Sequence, residues 1–377
     1  MAVSDQKVAL MQVPYINLAR QHAALKTELL DAIGTVLDHG QFVLGTEVQL
    51  FEQRFAELCG AHFAVGVNSG TDALILALQV LGIGPGDEVI TVPNSFIATA
   101  SAIRIVGARP VFVDVDEEYN MDPGRLEEAI TPKTKAVLPV HLTGRAAKMD
   151  AIRSIAAHHD LHLVEDCAQA ILARHRGQCV GTFGAVGCFS LHPLKNLNAC
   201  GDGGVLTTDD PEVYEAFKIR RNLGLKTRED CVVWSGNTRL DTIQAAILLV
   251  KLNYLEQWTQ RRRDNARYYR KKLAGLKQVW VPSEHEWEYA VYHTFVVQAE
   301  RRDDLRAFLA SRGIGTAVHY PLPIHLTSAG RELGYAAGSF PVAENQAKRI
   351  VSLPVYPELT TNDLDYIIQN LFDFYAN

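Results

Sequence analysis

The chain has 377 residues, 37 basic and 43 acidic, for a formal net charge of −6, with 47% hydrophobic and 21% charged residues. That balance is ordinary for a soluble protein of two or three domains; it argues against a nucleic-acid wrapper, and no apolar stretch approaches the ~20 residues a membrane helix needs. Six scattered cysteines (Cys59, Cys167, Cys179, Cys188, Cys200, Cys231) form no CxxC pair, which excludes a disulfide framework or a zinc site and suits a reducing cytoplasm.

The first residues, MAVSDQKVALMQ, lack the charged start and long apolar core of a secretory signal. Leu25, Leu29, Ile33, Val36 and Leu37 then recur at helical spacing, with Gly40 as a stop, and a second helical pattern covers 47–59. Short apolar runs at 63–67, 88–92, 110–115, 136–140 and 161–164 predict buried strands. Between them lie helical stretches near 71–81, 98–106, 123–130 and 149–158. This alternation implies an α/β fold with a mostly parallel central sheet flanked by helices. Two further strands are expected at 186–190 and 204–208, and 240–273 reads as helical almost throughout. Beyond it the pattern becomes α+β: strands at 291–298 and 315–319, helices at 302–312, 343–350 and 361–374. The expected division is a large domain over 1–255, with an N-terminal helical segment, and a small C-terminal domain over 256–377. The one basic concentration, Arg261, Arg262, Arg263, Arg267, Arg270, Lys271 and Lys272, reads as a solvated helix face, with a phosphate-binding surface as the other option.

Four stretches carry chemistry. Asn68-Ser69-Gly70-Thr71-Asp72 follows a strand and opens a helix, which suits a phosphate or a plain capped helix start. In Leu163-Val164-Glu165-Asp166-Cys167-Ala168-Gln169, two acids leave a strand at the sheet edge where open α/β proteins bind ligands; Asp166 is equally able to cap a helix. Lys195 sits between two short strands with Gly201, Gly203 and Gly204 behind it. A lysine there is either a surface-loop side chain or, if held away from water, a Schiff-base nucleophile. Phe96, in the turn Asn94–Ala100, is placed to project over a ligand or to fill the core. In combination these are the needs of pyridoxal phosphate: an anchor for the phosphate, a stacking ring, a carboxylate for the ring nitrogen and an amine for the aldehyde. A nicotinamide oxidoreductase is disfavoured, because Gly66-Val67-Asn68-Ser69-Gly70 is not GxGxxG.

Through Asn68–Leu74, Asn94–Ala100, Val164–Ala170, Ser190–Gly204, Gly236–Ala246 and His319–His325 (HYPLPIH), the sequence resembles the DegT-type sugar aminotransferases, from about Val13 to the end. The resemblance implies the PLP-dependent transferase type I fold and assigns roles. Lys195 matches the Schiff-base lysine, Asp166 the partner of the ring nitrogen and Gln169 the contact to the ring hydroxyl. Ser69, Gly70, Thr71 and Ser190 match phosphate contacts, and Phe96 the stacking position. Asn237 matches an asparagine reaching the phosphate from the neighbouring subunit, so a homodimer with active sites at the interface is implied. His319, Tyr320 and Arg239 match the substrate side. The implied partners are glutamate (2-oxoglutarate in reverse) and a keto-sugar, nucleotide diphosphate-linked. The stretch Leu191–Asn198 (LHPLKNLN) leans towards members that aminate a 3-keto position rather than C4. Relatives with histidine at the lysine position are dehydratases; this chain keeps Lys195. The alternative is a catalytically silent PLP-binding regulatory protein of the same fold.

Overall fold

A computed structural model describes residues 11–376. The leader reading rests largely on residues 1–10, which lie outside the described residues. Among the described residues, no helix is long and apolar enough to cross a membrane.

Helices α1 (Leu18–His39) and α2 (Thr46–Cys59) both stop at a left-handed glycine, Gly40 and Gly60. The chain then alternates through β1 (Phe63–Val67), α3 (Gly70–Val80), β2 (Glu88–Thr91), α4 (Ile97–Ile105), β3 (Arg109–Phe112), β4 (Thr134–Val137), α5 (Met149–His158) and β5 (His162–Asp166). The hairpin β6 (Arg174–His175) and β7 (Gln178–Cys179) precedes β8 (Val186–Ser190) and β9 (Gly204–Thr208). Helices α6 (Pro211–Arg220), α7 (Thr242–Leu252) and α8 (Leu255–Leu273) follow. The last part comprises β10 (Val279–Trp280), β11 (Glu288–Tyr289), β12 (Phe295–Ala299), α9 (Arg302–Ser311), α10 (Pro341–Arg349), β13 (Ile350–Leu353) and α11 (Thr361–Ala376).

Seven strands form the central sheet in the order β1-β9-β8-β5-β4-β2-β3. All neighbours run parallel except β9, which is antiparallel to both β1 and β8. The strands are short apolar runs with nearly every residue buried, as expected for a sheet covered on both faces. A three-stranded antiparallel sheet, β10-β12-β13, packs with α8, α9 and α11 around a second core that includes Tyr269, Phe295 and Leu371.

Several expectations are corrected. The stretch 240–273 is two helices broken at Asn253–Tyr254: α7 is buried on most sides against α1 and α2, whereas α8 is amphipathic and packs on α11. Residues 123–130 form two short 3-10 turns, because Asp122 accepts the Gly124 N–H and closes a tight turn instead of an α-helix. Only a single bridge, Ala317 to Ser352, stands where 315–319 read as a strand. The helix expected to reach 350 ends at Arg349, and Ile350 opens β13. The basic run is not a solvated face throughout. Arg262 is 5% exposed, and Arg263 and Arg270 pair with Glu284. Their positions on α8 turn them towards the body of the protein.

Candidate active site

The C-terminal ends of the central strands open on a pocket of about 290 Å³. Its lining joins Ser69, Gly70, Thr71, Phe96, Asp166, Gln169, Ser190, Lys195, His319 and Tyr320, which are distant in sequence.

One corner suits an anion. Ser69 caps α3 by accepting the Asp72 N–H at 3.0 Å, so the first-turn N–H groups and the positive end of the helix face outward. A Cβ on Gly70 would sit 2.7 Å from Cβ of Ser190, and one on Gly204 would meet the Ser69 carbonyl at 2.4 Å. Only glycine lets α3, β8 and β9 converge this closely. Ser190 Oγ accepts the His192 N–H at 3.3 Å, leaving its own proton to donate.

The opposite side holds the acid. Asp166 ends β5 and is 5% exposed. Its Oδ2 accepts the Thr99 hydroxyl at 2.8 Å, its Oδ1 accepts the Ala168 N–H at 3.1 Å, and Ser95 Oγ lies 2.7 Å from Thr99. Burial pushes its pKa up, and the Thr99 and Ala168 donors work against that. Among the described residues it forms no ion pair, so this buried carboxylate suits a cationic group entering from the pocket.

Lys195 stands on the loop after β8, with no hydrogen bond or ion pair to its Nζ among the described residues. Burial pulls its pKa down to about 8, opposed by the charge of Asp166. An amine so placed has a far larger neutral fraction at physiological pH than an ordinary lysine, and that fraction is free to add to a carbonyl.

The walls are aromatic and amide. Phe96, 54% exposed, faces Tyr320 with ring centroids 5.6 Å apart. Gln169 accepts the Thr143 N–H at 2.6 Å through Oε1 and donates to the Tyr320 hydroxyl at 3.3 Å through Nε2. His319 pairs through Nδ1 with Ser352 Oγ at 2.8 Å, and burial lowers its pKa to about 4, so it is neutral.

Asn237 and Arg239 are not brought into this pocket. They lie on an arm over 222–241, bridged at Asn222–Asn237 and Leu225–Cys231, with Trp234 93% exposed. Arg239 donates to Asn222 at 2.7 Å. Sequence reasoning missed Thr99, which lies in a quoted stretch but whose hydroxyl faces Asp166 only because α4 begins at Ile97. It also missed His293, read as an interior strand residue, which lines the pocket just ahead of β12.

Beneath the pocket, His141, Glu165 and Cys167 bring one ligand atom each to within 4.8 Å of one another. The carboxylate of Glu165 is already occupied by the N–H groups of Gly181, Phe183 and Gly184 and by His141 Nε2, while His141 Nδ1 accepts the Ala147 N–H. This is a brace for the turn 181–184, with its donors and acceptors matched internally.

The pocket's features fit pyridoxal phosphate: a glycine-lined anion corner, an uncompensated buried acid and an unpaired amine. The sequence profile of the DegT/DnrJ/EryC1/StrS aminotransferase family matches residues 23–372. The chain is 45% identical to the dTDP-3-amino-3,4,6-trideoxy-alpha-D-glucose transaminase of Streptomyces venezuelae, over 92% of each chain. It is 43% identical to a pleiotropic regulatory protein of Geobacillus stearothermophilus, over 97% of this chain and 100% of that one. The crystal structure of S. venezuelae DesV in complex with a ketimine intermediate superposes with a TM-score of 0.95 at 44% identity, covering 97% of this chain and 99% of that one.

Proposed function

The chain belongs to the DegT/DnrJ/EryC1/StrS aminotransferase family, and on that premise we propose that it moves an amino group from glutamate to the 3-keto position of a nucleotide-linked deoxysugar. It is a sugar aminotransferase whose cofactor is pyridoxal phosphate. One observation carries the assignment of its residues: Lys195 and Asp166, an amine and a carboxylate without ion-pair partners among the described residues, face the same pocket.

In this reading the α3 N-terminus, Ser69, Gly70, Thr71 and Ser190 hold the phosphate, Phe96 covers the ring and Gln169 meets its hydroxyl. Asp166 keeps the ring nitrogen protonated, and Thr99 holds the carboxylate oxygen in line. Bound pyridoxal phosphate supplies an electron sink for the carbon that bears the transferred nitrogen. Lys195 would hold the cofactor through its carbonyl carbon and, once released as a neutral amine, would be placed to serve as general base and acid for the proton shift. His319 and Tyr320 line the path of the sugar.

The C3 preference is supported by the Leu191–Asn198 stretch and by the name of the S. venezuelae relative. The arm that carries Asn237, Arg239 and exposed Trp234 supports a homodimer in which Asn237 completes the partner's phosphate corner. The proposed division at 255/256 is supported by the separate core around β10-β12-β13. A cytoplasmic location is in keeping with six free cysteines.

The Geobacillus relative's name favours a second reading, a cofactor-binding regulator. The visible spectrum of the loaded protein before and after glutamate separates the two. Conversion to the amino form of the cofactor is expected. An unchanged spectrum with intact cofactor overturns the enzyme reading in favour of the regulator.

A further inference from the structure

The basic run on α8 contains one arginine unlike its neighbours. Arg263 and Arg270 meet Glu284 at 2.7 and 2.9 Å. Arg262 reaches no acid within ion-pair distance among the described residues. Its Nη1 donates to the main-chain carbonyls of Tyr292 and His293 at 3.2 and 3.3 Å, and its Nε is buried without a partner. Glu358 acts on it only through space, and burial lowers its pKa to about 10, so it remains a cation at neutral pH.

Arg262 lines a second cavity, of about 50 Å³, together with Tyr15, His293, His319, Val355 and Tyr356. Leu194, His293 and His319 line this cavity and the Lys195 pocket alike, so the two adjoin. Ser352 ties the wall together, bonding His319 and the Tyr15 hydroxyl. Burial keeps both histidines neutral. Arg262 is therefore the one charged group in the lining.

Size and charge select the occupant. A water needs on the order of 10–15 Å³ of free space, so the cavity admits a carboxylate-sized group and excludes a pyranose ring. A buried guanidinium without a counter-charge is costly, and its fork matches a carboxylate. The donor half of a transamination brings such a group, attached one carbon from the reacting amine. Resting on the transaminase reading, we infer that Arg262 receives a carboxylate of the amino-acid donor, with Tyr15 and His319 closing the subsite. The sugar then enters past Phe96 and Tyr320, with His319 standing between its path and the subsite.

The test compares wild type with Arg262→Lys, and with Val355→Leu, which fills the cavity and leaves Arg262's carbonyl bonds in place. Single-turnover absorbance of the loaded protein is followed with glutamate and, separately, for the reverse half-reaction with the dTDP-linked 3-amino sugar. Both variants are expected to raise the half-saturating glutamate concentration at least tenfold and to leave that of the amino sugar within twofold. Maleate, an unreactive dicarboxylate, should perturb the wild-type cofactor spectrum at concentrations at least tenfold lower than in either variant. Equal shifts in both half-reactions, or no donor shift in either variant, overturn the subsite while the transaminase reading stands. If wild type takes an amino group from no amino acid, the transaminase reading itself falls. The maleate titration still decides then whether Arg262 binds carboxylates, and its failure overturns the inference.

Discussion

Lys195 and Lys251 are both drawn in from water and reach no acid within ion-pair distance among the described residues, and they are treated in opposite ways. Lys251, at the end of α7, is fully buried, and its Nζ is committed to the carbonyl and side-chain oxygens of Asn198 and to His22 Nε2. The Nζ of Lys195, on the loop Lys251 supports, bonds to nothing among the described residues. Burial lowers the pKa of both. The same cost yields a structural clamp where the donors are used and a reactive amine where they are left open. The two are linked, because Asn198 Nδ2 also donates to the carbonyl of Lys195 at 3.1 Å.

The contrast breaks most sharply at Lys195 itself. Lys195→Ala should lower turnover on the order of 10³-fold or more and abolish the visible band of the bound cofactor, with little change in melting temperature. Full transamination by this variant, read by 2-oxoglutarate formation, removes Lys195 from the chemistry. The same variant tests whether the site is completed across a dimer. Mixed with inactive Asn237→Ala and refolded together, it should regain about a quarter of wild-type activity, since half the dimers are mixed and each has one intact site. No regain places Asn237 in its own subunit's machinery or outside it.

Lys251→Met should do the reverse. The cofactor band should persist while urea denaturation shows a loss of about 1–3 kcal/mol, because the Asn198 oxygens lose their donor. Loss of the band with unchanged stability erases the distinction between the two amines. The smallest effect is in pH. With the Lys195 pKa at about 8, capture of pyridoxal phosphate by the apoprotein should speed up towards pH 8 and level off above it. An ordinary lysine keeps gaining towards its usual value of 10.5. The unfolded chain holds that proton across the same window, so the lysine's contribution to apoprotein stability rises with pH between about 8 and 10.5. A capture rate still climbing at pH 9.5 contradicts the lowered pKa.

Much of this site is legible in sequence because each piece lies at or just beyond the end of a strand, where glycine, serine and aspartate have local signatures. Ser69, Asp166 and Lys195 could be placed this way, and α5 and β1 match their expected ranges. Relations made only by folding could not be read. Arg262 looks like its solvated neighbours until α8 is docked, and Thr99 reaches Asp166 across 67 positions of sequence. The signal for β13, an apolar run before Pro354, was masked by the helix that ends against it. The arm with Asn237 is legible as a motif, but the role proposed for it needs a second chain.

The reversal of β9 has a mechanical consequence. A parallel strand after β8 would carry the chain to the far end of the sheet before it could pair. An antiparallel one returns it at once, so the lysine loop is tethered at both feet to a single ladder rung, Ser190 opposite Gly204. Gly70 packs on the first foot and Ser69 on the second. The proposed seat of the phosphate thus rests on the two feet of the lysine loop. In the proposed reading, grip on the cofactor's tail and aim of the amine form one lever.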